Sequence, residues 1–249
     1  MKTWQIYSLV AVVVVVGIGA AIFLTKHNKN NNETKDSTSS TQTQTPADAQ
    51  ENSNTATQNA NTATTAGQCN RSVNNKVMQD KIDIKNKFVT LSVEGYGDIK
   101  VQLYDADAPK TVENFLRLTA SGYYDCLTFH RIAKGFVIQG GDPTGTGSGG
   151  DSAFGGEFAD ELNPNTPSAK AGYQKGVLAM ANRGPNTNTS QFFIMLDNND
   201  LPFNYTIFGK VVAGQDVVDK IGQAPITPQM GPTDGSPVNK ITITKATIN

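Results

Sequence analysis

Apolar positions fall along this chain in three unlike patterns. Ile6 to Leu24, "IYSLVAVVVVVGIGAAIFL", is an unbroken apolar run without a charge. Lys26 to Asn70 holds no aromatic residue and no Leu, Ile, Val or Met. From Phe88 onward, apolar and polar residues alternate in short runs. "FVTLSVEGYGDIKVQLYD" places Val89, Leu91 and Val93, then Ile99, Val101 and Leu103, on one side of two strands. Gly95-Tyr96-Gly97-Asp98 supplies the turn of a hairpin. The period then changes: Val112, Phe115, Leu116 and Thr119 form a helical stripe, with Pro109 suited to the first turn and Gly122 to the stop. Further strands are predicted at 128–132, 136–139, 177–181, 192–196 and 205–212. A second helix in "GQDVVDKIG" carries Val217, Val218 and Ile221 on one face, and "KITITKATI" closes the chain as a strand. Many short strands with two helices predict a closed β-barrel whose ends the helices cover. Closure also removes exposed strand edges.

These patterns divide the chain into a short tail (1–5), an apolar segment (6–24), a polar linker (25–70) and a folded domain (71–249, with its firm core from about 86). At about 1.5 Å per helical residue the apolar segment would reach roughly 28 Å, the thickness of a bilayer's hydrocarbon. Trp4 sits where an interfacial aromatic would anchor it. Lys2 also suits a signal peptide, but the apolar run is long for that role and no clean cleavage site follows. An uncleaved single-pass transmembrane anchor is the reading taken. The linker cannot bury enough apolar surface to offset its ordering entropy and reads as a disordered tether spanning roughly 35–40 Å. Lysines flank both sides of the anchor, so charge barely fixes orientation. A tethered domain outside the cytoplasm, on a cell membrane, is the expectation.

Composition narrows the chemistry. With 21 basic and 22 acidic residues, the chain has no excess charge for a polyanion, and no nucleic-acid partner is expected. Two histidines and two cysteines, without C-x-x-C or H-E-x-x-H, argue against a metal site. Gly145 to Gly150 satisfies G-x-G-x-x-G, yet "DSAFGGEFADELNPNTP" after it has no helical stripe. A dinucleotide loop needs a helix N-terminus there. No nucleotide and no other cofactor are expected, and the glycines read as a loop wrapped over the barrel.

"FHRIAKGFVIQGGD" (129–142), "MANRGPNTNTSQFFI" (180–194) and "YTIFGKVVAGQDVVDKI" (205–221), with "APKTVENFLRL" and "GTGSGG", resemble the cyclophilin family of peptidyl-prolyl cis-trans isomerases in the family's order. The likeness runs from about 86 to 248. It implies an eight-stranded antiparallel barrel capped by two helices, a site on the outer face, and proline-containing polypeptides as substrates of a monomeric domain. Arg131 matches the catalytic arginine. Phe136, Val137 and Phe193 would line a proline pocket, with Leu201 near its wall and Ala181 flanking the channel. Gln139 and Gln191 would bind substrate carbonyls, and Asn182 would pair with substrate backbone through its main chain. Tyr205 stands where the family carries a histidine. Phe192, on the opposite face from Phe193, is expected in the core, and His130 is expected to be structural and turned away from the arginine's side.

Two departures and one alternative accompany that resemblance. The family often has a tryptophan that helps bind cyclosporin; here that region reads Asn199-Asp200-Leu201-Pro202-Phe203, and the sole tryptophan is Trp4. Weakened cyclosporin affinity with retained isomerase activity is expected. Cys69 and Cys126 could form a bridge in an oxidising space or remain thiols in the cytoplasm. The alternative function is a module that grips proline segments without turnover, for which an intact Arg131 would be superfluous.

Overall fold

A computed structural model describes residues 69–249; the tail, apolar segment and nearly all of the linker lie outside the described residues. Among the described residues no helix is long and apolar enough to cross a membrane.

The predicted hairpin is β1 (Phe88–Val93) and β2 (Gly97–Leu103). The predicted helix is α2 (Pro109–Ala120), which follows a short α1 (Asn75–Gln79). Then come β3 (Leu127–Ala133), β4 (Val137–Gly140), a short α3 (Pro167–Ala171), β5 (Val177–Met180), β6 (Phe192–Met195) and β7 (Ile207–Ala213). The chain ends with α4 (Gln215–Gln223), β8 (Ile226–Gly231), β9 (Asp234–Pro237) and β10 (Thr242–Ile248). The sheet runs β10-β1-β2-β7-β5-β6-β4-β3, and β10 pairs back onto β3 through Thr242–Thr128 and Ile243–Leu127. All these pairings are antiparallel, so eight strands form a closed barrel. To bridge both neighbours β10 must bend, and the register slips between Ser92 and Val93 of its partner β1.

The closed eight-stranded barrel is the one expected, and further elements are added to it. Among the described residues the sheet has ten strands, because β8 and β9 form a hairpin laid along β3 outside the closed barrel. Helices α1 and α3 add to the two expected; each is a single short piece capped by its own side chain, Asn74 and Thr166 respectively.

Alternation explains the core. Val89, Leu91, Ile99, Val101 and Ile243 are fully buried in one cluster, onto which α2 lays Val112, Phe115 and Leu116 and α4 lays Val218 and Ile221. Phe115 is the hub: its ring lies 4.9 Å from Tyr124, 5.1 Å from Phe208 and 5.5 Å from Phe192. Ala108 offers α2 no side-chain cap. Glu161 replaces it from a distant loop, accepting from the amides of Lys110 (3.0 Å) and Thr111 (2.8 Å), so a carboxylate meets the positive end of the helix.

Before β1 the chain straps the barrel. Met78 is buried, Val73, Ile82 and Ile84 pack on the core, and Arg71 Nε donates to the Tyr123 carbonyl at 3.0 Å. A disulfide joins Cys69 to Cys126, Cα atoms 5.5 Å apart, and pins the strap's start beside β3.

Candidate active site

The site begins with an irregularity in β3. Phe129 pairs with Gly140 and Arg131 with Gln139, so the register slips at His130. In a regular strand, residues two apart share a face. Here Phe129 and Ile132 both enter the barrel core, while Arg131 and Ala133 face outward. One extra residue thus re-aims the arginine from the core to the outer face, the service a bulge commonly performs beside active sites. His130 is the residue inserted. It is buried, and neither ring nitrogen has a protein partner among the described residues. It borders a recess of about 290 Å³ with Cys126, Asp142 and Lys240. The expectation that it turns to the side opposite Arg131 rested on strict alternation, which the slip interrupts.

On the outer face a second apolar cluster gathers Ala133, Val137, Ala179, Phe193, Met195 and Ile207, and onto it pack Phe136, Ala181, Leu201, Phe203 and Tyr205. The register makes the cluster: Val137 faces Met195, Gln139 faces Phe193, and Ala179 faces Phe193 across three adjacent strands. Phe192, one position away, is fully buried in the barrel core as expected. The Phe193 and Tyr205 rings meet edge-on at 5.6 Å. Tyr173 fixes the wall, its hydroxyl donating to the Tyr205 carbonyl (2.8 Å) and accepting from the Tyr205 amide (3.1 Å). Burial pushes the Tyr173 phenol up to about 12. Burial also raises Tyr205, although Arg131 pulls the other way. Both phenols therefore remain protonated at neutral pH and can donate.

Along the rim runs a polar chain. Arg131 Nη1 donates to Gln139 Oε1 (3.0 Å), Gln139 Nε2 to Gln191 Oε1 (2.9 Å), and Gln191 Nε2 to the carbonyls of Gly149 (2.7 Å) and Gly147 (3.0 Å). The glycine loop is held from beneath by Asp142, whose carboxylate accepts from the amides of Thr144, Thr146, Gly147 and Gly149. Burial alone would raise Asp142, but the donors of Thr144, Gly149 and Gly147 outweigh it and hold the carboxyl below its usual value. The loop's amides thus point inward to a carboxylate, not outward to a phosphate. A Cβ at Gly149 would overlap that carboxylate.

The structure brings the predicted residues together. Arg131, Gln139 and Gln191 are linked directly; Phe136, Val137, Ala181, Phe193, Leu201 and Tyr205 form the apolar floor and walls. Asn182 stands beside Ala181 with its side chain donating to the Asn204 carbonyl at 2.9 Å. Its main chain makes no hydrogen bond to any of the described residues. Reading the sequence missed Asp234, whose carboxylate grips Arg131 from β9, and missed Tyr173. The stretch "ITPQMGPTDGSP" carries no alternation and contains three prolines, so it reads as a loop. In Tyr173 the only signal was an isolated aromatic between loops. Among the described residues no group of three or more His, Cys, Asp or Glu side chains gathers as a metal site would require.

Residues 88–248 match the family described as cyclophilin type peptidyl-prolyl cis-trans isomerase. Peptidyl-prolyl cis-trans isomerase-like 1 of Aspergillus niger is 45% identical over 152 residues, which are 61% of this chain and 91% of that protein. Peptidyl-prolyl cis-trans isomerase-like 3 of Gallus gallus is 47% identical over 139 residues, 55% of this chain and 83% of that one. A crystal structure of a Cryptosporidium parvum cyclophilin type isomerase superposes with a TM-score of 0.58 at 40% identity, covering 66% of this chain and 98% of that one. The same protein was also solved in the presence of the dipeptide Ala-Pro. The chain belongs to the cyclophilin-type peptidyl-prolyl cis-trans isomerases, and its function is the cis-trans isomerisation of peptidyl-prolyl bonds.

Proposed function

We propose that Arg131 carries the catalysis, with the proline ring seated on the Phe136–Val137–Phe193 floor. Rotation about a peptide C–N bond meets a barrier of about 18–20 kcal/mol because the nitrogen lone pair is delocalised. No bond breaks, so no nucleophile or metal is needed. At the half-turned imide the nitrogen becomes pyramidal and regains its lone pair. A fixed cationic donor beside it stabilises that state more than either planar one. The observation that carries the reading is the guanidinium's position: a permanent cation held at the lip of an apolar cluster, within a hydrogen-bond chain to Gln139 and Gln191. The Cryptosporidium relative was solved in the presence of Ala-Pro, a dipeptide of the chemistry that such an apolar floor and polar rim would take.

Magnitudes limit what Arg131 does alone. One charge-assisted hydrogen bond contributes about 1.5–3 kcal/mol, whereas an acceleration of about 10⁵ requires close to 7 kcal/mol. The remainder is assigned to grip on the ring and to holding the flanking backbone while the peptide turns. Gln139, Gln191 and the Asn182 main chain supply the polar contacts, Tyr205 donates from the far wall, and Leu201 and Ala181 bound the groove. Catalysed exchange in a short Ala-Pro peptide tests this reading. Binding with no enhanced exchange would favour a proline-gripping module instead.

For location, the proposal is a monomeric isomerase tethered to a membrane through Ile6–Leu24 and working on exported polypeptides outside the cytoplasm. The Cys69–Cys126 bridge supports it, because such bonds persist in oxidising compartments. Protease added to intact cells should cut the polar linker; a protected linker would place the domain inside.

A further inference from the structure

The β8–β9 hairpin delivers to the arginine a carboxylate that the barrel's own strands do not carry. β9 pairs with β3, Asp234 opposite Ala133 and Gly235 opposite Ile132. From that register Asp234 Oδ1 accepts from Arg131 Nε at 2.8 Å and Oδ2 from Nη2 at 2.6 Å. The two side chains are only 18% and 19% exposed. Gly235 makes the register attainable, since a Cβ there would collide with the Thr227 carbonyl and the Pro228 backbone of the facing strand.

A guanidinium has five N–H donors in a rigid fork. Asp234 takes two along one edge and Gln139 takes one on Nη1. One N–H on Nη1 and one on Nη2 are left, both off the edge that the carboxylate occupies. We propose that Asp234 is a positioning residue for the isomerisation: it fixes Arg131 so that the donors left free face the proline nitrogen. The proposal rests on the catalytic reading of Arg131 given above. A long arginine side chain has many rotamers, and a bidentate partner removes most of that freedom before substrate arrives. The carboxylate also dilutes the positive charge. Orientation and dilution act on turnover with opposite signs, so the sign of the effect decides between them.

The experiment compares wild type, Asp234→Ala, Asp234→Asn, Asp234→Glu and Arg131→Ala, with kcat and KM on a short X-Pro peptide. Misplacement of a catalytic group by about 1 Å costs on the order of a hundredfold, so Asp234→Ala is expected to lose about ten- to a hundredfold in kcat, with KM within about twofold. Asp234→Asn, which retains shape but offers a single acceptor, should lose less, and Asp234→Glu should restore most of the rate. In nitrogen-detected NMR of the arginine side chain, the wild type should show slow rotation about the Arg131 Nε–Cζ bond; in Asp234→Ala that rotation should become fast. Unchanged or raised kcat in both Asp234→Ala and Asp234→Asn, or a loss confined to KM, overturns the proposal. Should the alanine variant fail to fold, the asparagine and glutamate pair decides alone: equal kcat values overturn it. Wild-type turnover in Arg131→Ala would instead overturn the catalytic reading beneath it.

Discussion

Gln139 and Gln191 are joined by a 2.9 Å hydrogen bond in which Gln139 Nε2 is the donor. The direction is forced from both ends. Gln139 Oε1 is already accepting from Arg131, and Gln191 Nε2 is already donating to Gly147 and Gly149. Every donor therefore points from the arginine toward the glycine loop, and the two amides are not free to flip. Gln191→Ala would cut the chain at its centre. The expected result is a fall of about tenfold in kcat/KM from lost positioning, measured on a short X-Pro peptide, with the folded barrel retained by circular dichroism. Undiminished activity would remove the loop from the mechanism.

The bridge between Cys69 and Cys126 spans 57 positions of sequence. In the chain-entropy account, closing a loop of that size stabilises the fold by up to about 4 kcal/mol. For a domain of this size, each kcal/mol moves the melting temperature by about 2–4 °C. Mild reductant, or Cys69→Ser with Cys126→Ser, is expected to lower Tm by about 10 °C while leaving a folded, active enzyme, because the barrel closes without the strap. Calorimetry in the two redox states checks it.

His130 predicts a pH dependence of stability. Burial lowers its pKa below the usual histidine value; Asp142 opposes this, Arg131 reinforces it, and the Thr128 main chain opposes it. The folded state thus favours the neutral ring, and the unfolded chain binds the proton more readily. The contribution is present in full above the ordinary value near 6.5 and is lost as pH falls from there through the lowered folded value. Wild type should melt at a lower temperature at pH 5 than at pH 7.5. His130→Gln should flatten that part of the profile. The same slope in both proteins would assign it to other groups.

Cyclosporin should bind more weakly than to relatives that carry the tryptophan. The wall beside Leu201 is built here by Phe203 and Tyr173, their ring centroids 6.4 Å apart, and none of the described residues supplies an indole there. Calorimetric titration is expected to give a dissociation constant above the nanomolar range with isomerase activity intact. Nanomolar binding would mean that these rings substitute for it.

Strict alternation made the barrel strands legible. Val89, Leu91 and Val93 face inward and their neighbours do not, and the helices showed through Phe115 and Ile221 in the same way. The β8–β9 hairpin was illegible because β8 is almost wholly exposed and leaves no apolar period to read. Asp234 was hidden for the same reason. Arg131 could be named from its motif, but the bulge at His130 that turns it outward could not: alternation places residues 129 and 131 on one face, and only the pairing register shows the slip. The apolar site residues were named as a set by resemblance. What joins them is the cross-strand pairing of β4, β5 and β6, which no short motif encodes.

The central claim is that the guanidinium of Arg131 stabilises the half-turned imide. Exchange spectroscopy on a saturating X-Pro peptide separates the on-enzyme rotation rate from affinity. For Arg131→Ala the account predicts rotation slowed by at least about tenfold, the equivalent of about 1.4 kcal/mol, with peptide affinity changed by no more than about threefold. Rotation as fast as in the wild type, at matched occupancy, would contradict it.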